Sequence, residues 1–194
     1  MTATSPRQTR TRIRSRAVLL GVAAAVAATD LVTKAVAARA LTGRNTVDLP
    51  GPVDLALLFN PGAAFGLGAA LPAGTLAVVT AILVAGLFWY AWHAAPTTNR
   101  LGRAGLAVLL GGAVANLADR GIDGVVTDYL HTGWWPTFNL ADVAIVTGAG
   151  LLLLSSFRQP PPTEGSGAVT DAAVSRSNRP VHPRPADSPD PRTS

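Results

Sequence analysis

Residues Leu71–His93 read LPAGTLAVVTAILVAGLFWYAWH, with no Asp, Glu, Lys or Arg in the run. A helix that crosses a bilayer needs about 20 mostly apolar residues. Trp89, Tyr90 and Trp92 gather at one end, and such amphipathic rings favour the membrane–water boundary. The run therefore predicts a spanning helix. Three weaker segments flank it. About Ala17–Leu41 is apolar but carries Asp30 and Lys34. About Ala104–Ala118 is short and Gly-rich, with small residues that permit close helix contact. About Leu140–Phe157 has Asp142 near its start. The expected fold is an all-α integral membrane protein with four transmembrane helices.

Composition points the same way. Of 194 residues, 48% are hydrophobic and 14% charged, and the charged share is far below that of a soluble domain. There are 0 Cys, which excludes disulfides, thiolate metal sites and a cysteine nucleophile. Sixteen Lys and Arg against eleven Asp and Glu leave a net charge of +5. The resulting pI near 11.0 raises nucleic acid as a partner, but the placement of the charges argues against it. Arg7, Arg10, Arg12, Arg14 and Arg16 crowd ahead of an apolar stretch, and Arg176, Arg179, Arg184 and Arg192 lie in a Pro-rich tail. Neither group forms a stripe with interleaved aromatics.

Three regions follow: a basic N-terminus over residues 1–16, a membrane unit over 17–158, and a tail over 159–194 whose Pro, Ser, Thr and Asp read as disordered. The basic start and the apolar Ala17–Ala28 run also resemble a cleavable signal peptide. The count of later spans weighs against that reading. By the positive-inside rule the N-terminal arginines, Arg100, Arg103 and Arg158 are cytoplasmic. Both termini are then cytoplasmic, and about Thr42–Ala70 and Asp119–Asn139 are external. The first external segment holds a strand-like patch, Val53–Phe59, after the Pro50-Gly51-Pro52 turn. It predicts a small extracytoplasmic β-containing element between helices 1 and 2.

A charged side chain at the centre of a membrane helix costs about 2.5–3.5 kcal/mol, so the few present need partners or a function. Asp30 and Lys34 are spaced i,i+4 on one face, either as a pair that locks the bundle or as part of a site. Asn60-Pro61-Gly62-Ala63-Ala64-Phe65-Gly66 offers a turn, exposed backbone N–H groups and an apolar lip at Phe65. Asn116, Asp119 and Arg120 share one face at a helix end, as do Asn139 and Asp142. Each carboxylate alone reads equally as a cap or a solvated loop residue. Their common address carries more weight. Span parity sets Asp30, Asn60, Asn116, Asp119, Asp128, Asn139 and Asp142 at one membrane face, whichever way the protein is inserted. With no Cys and no suitable Ser/His pair, two Asp are the best candidates for hydrolysis. Held close, they share a proton, so one can take a proton from water while the other polarises a carbonyl.

The blocks Asp30-x-x-x-Lys34, Asn60-x-Gly62-Ala63-Ala64-Phe65-Gly66, Gly112-Ala113-x-x-Asn116-x-x-Asp119-Arg120, Val125-x-x-Asp128-Tyr129 and Phe138-Asn139-x-Ala141-Asp142 resemble, in order, those of the bacterial lipoprotein signal peptidase (type II signal peptidase) family. The resemblance covers about Val22–Phe157. It implies a four-helix membrane aspartyl endopeptidase that cuts diacylglyceryl-modified prolipoproteins just before the lipidated cysteine. By position Asp128 and Asp142 match the catalytic pair. Asp30, Lys34, Asn60, Gly62, Phe65, Asn116, Asp119, Arg120, Asn139 and Ala141 match supporting and substrate-contacting positions. It further implies globomycin as inhibitor, membrane lipids as surroundings, a monomer, and no metal, nucleotide or other cofactor. Tyr129 stands where Phe is usual, and the Asp128–Asp142 segment is a few residues shorter than in many members. A transporter or proton-conducting bundle is the competing reading, with Asp30 and Asp142 as relay residues. It requires a polar path to the cytoplasmic side, where the helices are apolar. A structural scaffold, the third reading, leaves Asp128 without a role.

Overall fold

The structure, a computed structural model, describes residues 6–44, 46–62 and 74–158. Four helices within them are long and apolar enough to cross a membrane: α1 Pro6–Leu41, α2 Thr75–Ala94, α3 Arg100–Asp123 and α4 Leu140–Phe157. The sequence expectation of four spans holds, with different ends. Helix α1 has 36 residues, about 54 Å at 1.5 Å per residue, well beyond a hydrocarbon core of about 30 Å. Its first turns, with Arg7, Arg10, Arg12 and Arg14, are helical and continuous with the span. Charges end the apolar run but do not break a helix. Helix α3 starts four residues before the expected Ala104, because the Asn99 side chain accepts the Gly102 N–H at 2.7 Å as an N-cap. It ends at Asp123, five residues after Ala118, and the following Gly124, with a φ of 75°, closes the C-terminus in the left-handed region.

Helix α3 packs against α1, α2 and α4. Close approach to α4 depends on glycines. A Cβ at Gly112 would sit 2.5 Å from the Ala141 carbonyl oxygen, and one at Gly148 would sit 2.5 Å from the Leu109 nitrogen. Away from the carboxylates, the core is built from Leu19, Ala23, Val84, Ala91, Leu106, Ala107 and Leu110. Among the described residues this apolar half offers no polar path of the kind a proton-conducting bundle needs. Ile82, Leu83, Val146 and Leu153 are exposed, as lipid-facing side chains should be.

A three-stranded antiparallel sheet caps one end of the bundle. Its strands are β1 Thr46–Val47, β2 Asp54–Asn60 and β3 Val126–His131, in the order β1-β2-β3. The expected strand Val53–Phe59 appears as β2, shifted by one residue. Strand β3 was not expected, and Asp128 lies on it rather than in a loop. The register sets Leu58 opposite Asp128 and Asn60 opposite Val126, with an irregularity between Leu55 and Leu58. The sheet thus joins the two segments that were expected on the same side of the membrane. The tail over 159–194, Phe65 and the neighbouring Ala63, Ala64 and Gly66 lie outside the described residues.

Candidate functional site

The polar residues converge between the ends of α1, α3 and α4 and the sheet, in two tiers. The inner tier is centred on Lys34, which is 3% exposed. Its Nζ pairs with Asp30 at 2.9 Å and Asp119 at 3.3 Å, and donates to Asn116 Oδ1 at 2.7 Å. Asp30 also accepts the Ala141 N–H at 2.7 Å, so α1 is tied to the first turn of α4. Asp119 accepts the Thr127 N–H at 2.7 Å, which fixes β3 one residue before Asp128. Each carboxylate that helps neutralise Lys34 therefore also holds one backbone segment of the outer tier.

The outer tier holds Asp128 and Asp142. Asp128 is buried. Its two oxygens accept from Asn139 Nδ2 at 2.7 Å and Asn60 Nδ2 at 3.0 Å. Asp142 Oδ1 accepts from Asn116 Nδ2 at 2.8 Å, and its Oδ2 accepts the Asn139 backbone N–H at 3.1 Å. Asn139 Oδ1 in turn accepts the Asp142 N–H, completing a capping box on α4. Asn139 is wholly buried and bonds both carboxylates, which brings them to one place. Asn60 is held by its own turn, since its Oδ1 accepts the Gly62 N–H at 3.0 Å. Arg120 Nη2 donates to the Gly62 carbonyl at 2.9 Å, while its buried Nε has no partner among the described residues. Tyr129 reaches back to α1 and donates to Thr33 Oγ1 at 3.0 Å.

A cavity of about 260 Å³ opens on this tier, lined by Asp128, Asp142, Asn60, Asn116 and Arg120 on its polar side. Its apolar side includes Trp135, Phe138, Ile145 and Val146. A second, more open groove of about 410 Å³ shares Asp142, Trp135, Phe138 and Val146, and continues over Trp134 and Val143. Four carboxylates (Asp30, Asp119, Asp128 and Asp142) here face two cations, Lys34 and Arg120. Buried carboxylates that outnumber the cations beside them are costly to ionise together.

The Asp128 carboxyl is pushed up to about 6. Burial is the main cause. The Asn60 hydrogen bond opposes it, the Asp142 charge adds to it, and Asn139 and Lys34 pull it down. The folded value lies above the unfolded one near 3.8, so folding takes up a proton between roughly pH 4 and pH 6. This carboxyl adds stability as pH falls through 6 and withdraws it as pH rises. Melting of the detergent-solubilised protein is expected to gain on the order of a few kcal/mol from this group between pH 7.5 and pH 4. In Asp128→Asn that part of the slope disappears, and identical slopes in the two proteins would contradict the assignment.

Eleven residues expected at the site from sequence (Asp30, Lys34, Asn60, Gly62, Asn116, Asp119, Arg120, Asp128, Asn139, Ala141 and Asp142) join this network. Phe65 is the twelfth and lies outside the described residues. Ile145 and Val146 were not expected, although they follow Asp142 at i+3 and i+4 and so share its face. His131 lies 3.2 Å from Thr137 Oγ1 and is not among the residues that line the cavity.

A family model described as signal peptidase (SPase) II matches residues 22–158. The lipoprotein signal peptidase of Mycobacterium avium (strain 104) is 38% identical over 145 residues, covering 71% of this chain and 78% of that protein. The lipoprotein signal peptidase of Syntrophotalea carbinolica is 37% identical over 148 residues, covering 73% and 91%. Two solved bacterial membrane enzyme structures share the fold. One has a TM-score of 0.63 at 24% identity over 77% of this chain and 93% of its own. The other has 0.61 at 25% identity over 74% and 95%.

Proposed function

The chain belongs to the signal peptidase II family, and from that premise we propose that it works as an aspartyl endopeptidase through Asp128 and Asp142. As a member of that family it is a multi-pass bacterial membrane peptidase that removes signal peptides from prolipoproteins. The observation that carries the aspartyl reading is the shared wiring: one buried residue, Asn139, bonds both carboxylates at the wall of one cavity.

Asp142 sits in the first turn of α4, where the helix dipole favours a negative charge. It is the base that takes a proton from the attacking water. Asp128, deeper and pushed towards neutrality, holds the shared proton and gives it to the carbonyl oxygen of the scissile bond. Water oxygen bonds to the carbonyl carbon to give a tetrahedral diol. The proton held by Asp142 then passes to the departing nitrogen, the C–N bond breaks, and Asp128 recovers its proton from the diol. The products are a signal peptide carboxyl and a lipoprotein whose free amine lies on the lipidated cysteine. A substrate in the cavity displaces water and strengthens the sharing of the proton.

The apolar groove over Trp134, Trp135, Phe138, Val143 and Val146 suits the diacylglyceryl chains. It runs from the carboxylates along an exposed, lipid-facing side of α4. Arg120, with one nitrogen on Gly62 and another without a partner among the described residues, suits a substrate carbonyl. The arginines at the opposite end of the bundle favour a cytoplasmic location for both termini and an extracytoplasmic location for the dyad. The enzyme acts as a monomer, and globomycin-type peptides compete for the same cavity.

The test uses the protein in proteoliposomes with a diacylglyceryl-modified precursor in water enriched in oxygen-18. One heavy oxygen is expected in the new carboxyl of the released signal peptide, with the cut directly before the lipidated cysteine. The precursor without lipid should remain intact. A hydroxylamine-trapped acyl-enzyme, or equal cleavage of the unlipidated precursor, would overturn the reading.

A further inference from the structure

A further cavity lies at the end of the bundle away from the dyad. It has a volume of about 610 Å³ and is lined by α1 and α3, including Arg14, Ser15, Val18, Val22, Arg100 and Ala104. That volume lies within the range of ligand pockets, about 300–1,000 Å³. From Arg100 to Asn116 is sixteen residues of α3, about 24 Å at helical rise. The cavity therefore lies near the opposite membrane boundary from the carboxylates.

The arginines at this end divide into two kinds. Arg16 donates to the Trp92 carbonyl at 3.1 Å and stacks its guanidinium over the Trp92 ring. Arg103 also lines the cavity, but it donates to the carbonyls of Ala95 and Thr98 and so is spent on anchoring the loop between α2 and α3. Arg14 and Arg100 make no hydrogen bond or ion pair among the described residues, and both line the cavity. On α1, Arg14 is followed at helical spacing by Val18 and Val22. On α3, Arg100 is followed by Ala104 and Ala107. Each wall thus presents a cation at the boundary and apolar surface one and two turns deeper.

We propose that this cavity binds an anionic phospholipid, with its phosphate between Arg14 and Arg100 and an acyl chain against Val18, Val22 and Ala104. The order of charge and apolar surface on both walls is the order within the lipid. Among the described residues no Asp or Glu lines the cavity, so none of them receives the ammonium of a zwitterionic headgroup. The Lys- and Arg-rich start of a signal peptide meets the same positive charge and is repelled. The site is separate from the dyad, and binding does not depend on the catalytic reading.

The full chain, reconstituted in nanodiscs of equal phosphatidylglycerol and phosphatidylcholine, is released into the gas phase for native mass spectrometry. Phosphatidylglycerol is expected to remain bound in preference to phosphatidylcholine. Arg14→Gln with Arg100→Gln should lower its retention about 20- to 30-fold, the combined effect of two arginines at an anionic membrane surface. Arg7→Gln with Arg12→Gln removes the same charge outside the cavity and should retain the lipid. Ala104→Phe keeps the charge, fills the chain-binding wall and should lose the lipid. Excess inorganic phosphate should leave the bound lipid in place, and Asp128→Asn should bind it as the parent does. Equal retention of the two lipids, equal loss in both arginine pairs, an unaffected Ala104→Phe, or displacement by inorganic phosphate would overturn the proposal.

Discussion

Asp128→Asn is expected to slow cleavage of a lipidated precursor by about 10²–10⁴-fold, the usual contribution of positioned proton transfer. Asp142→Asn should lose activity over the same range. The double variant should be little slower than either single one, because two groups that share one proton act as a unit. The loss should fall on kcat more than on KM, since neither carboxyl is needed to hold acyl chains. Both variants should fold. Asparagine at 142 keeps an oxygen that can accept the Asn139 backbone N–H, and its own backbone N–H still reaches Asn139 Oδ1, so the capping box survives and only the bond from Asn116 Nδ2 is lost. Asparagine at 128 turns an amide donor towards Asn60 or Asn139, each of which donates to that position. Its cost is local and is read separately, from the melting curve. Near-parental cleavage by either folded variant removes the dyad. Losses that multiply in the double variant would mean two independent contributions rather than one shared proton.

How much of this arrangement was legible in the sequence differs between span, strand and site. Spans announce themselves by length and apolarity, so all four were found. Their ends were not, because the apolar run ends at the first charges while the helix continues through them, as α1 does from Pro6. The true ends of α3 carry ordinary local signals, Asn99 before and Gly124 after. Strand β3 escaped because Val126–Tyr129 is buried on both faces, which erases the two-residue alternation that marks a strand. The polar residues themselves were legible, since a charge-poor chain can place few of them without a reason. Their wiring was not. That Asn139 reaches both carboxylates, or that Asp30 holds the Ala141 N–H 111 residues away, depends on how α1, α3 and α4 meet. Asp142 was open to two readings, cap or site. It completes the capping box of α4 and lines the cavity as well, so the first reading never excluded the second.

Lys34→Met is expected to be the most damaging single substitution for stability. Among the described residues the lysine is the one cation paired with Asp30 and Asp119, and it is also the donor to Asn116 Oδ1. Methionine fills much of the same volume and supplies none of this. Removing one partner from a buried ion pair typically costs about 3–5 kcal/mol, which corresponds to a melting shift of roughly 10 °C in a chain of this size. Asp30→Asn should cost less, because Lys34 keeps Asp119 and the asparagine oxygen can still accept the Ala141 N–H. Lys34→Met combined with Asp30→Asn should recover part of the loss, since one of the stranded carboxylates is gone. The lysine substitution should also reach the reaction. Asn116 is oriented by Lys34 at its oxygen and holds Asp142 through its nitrogen, so protein that still folds should show a lowered kcat. Aspartate variants that lost only stability would regain activity on cooling; the lysine variant should not. Unchanged melting of Lys34→Met would mean that the contacts of Lys34 with Asp30, Asp119 and Asn116 do not hold the bundle together.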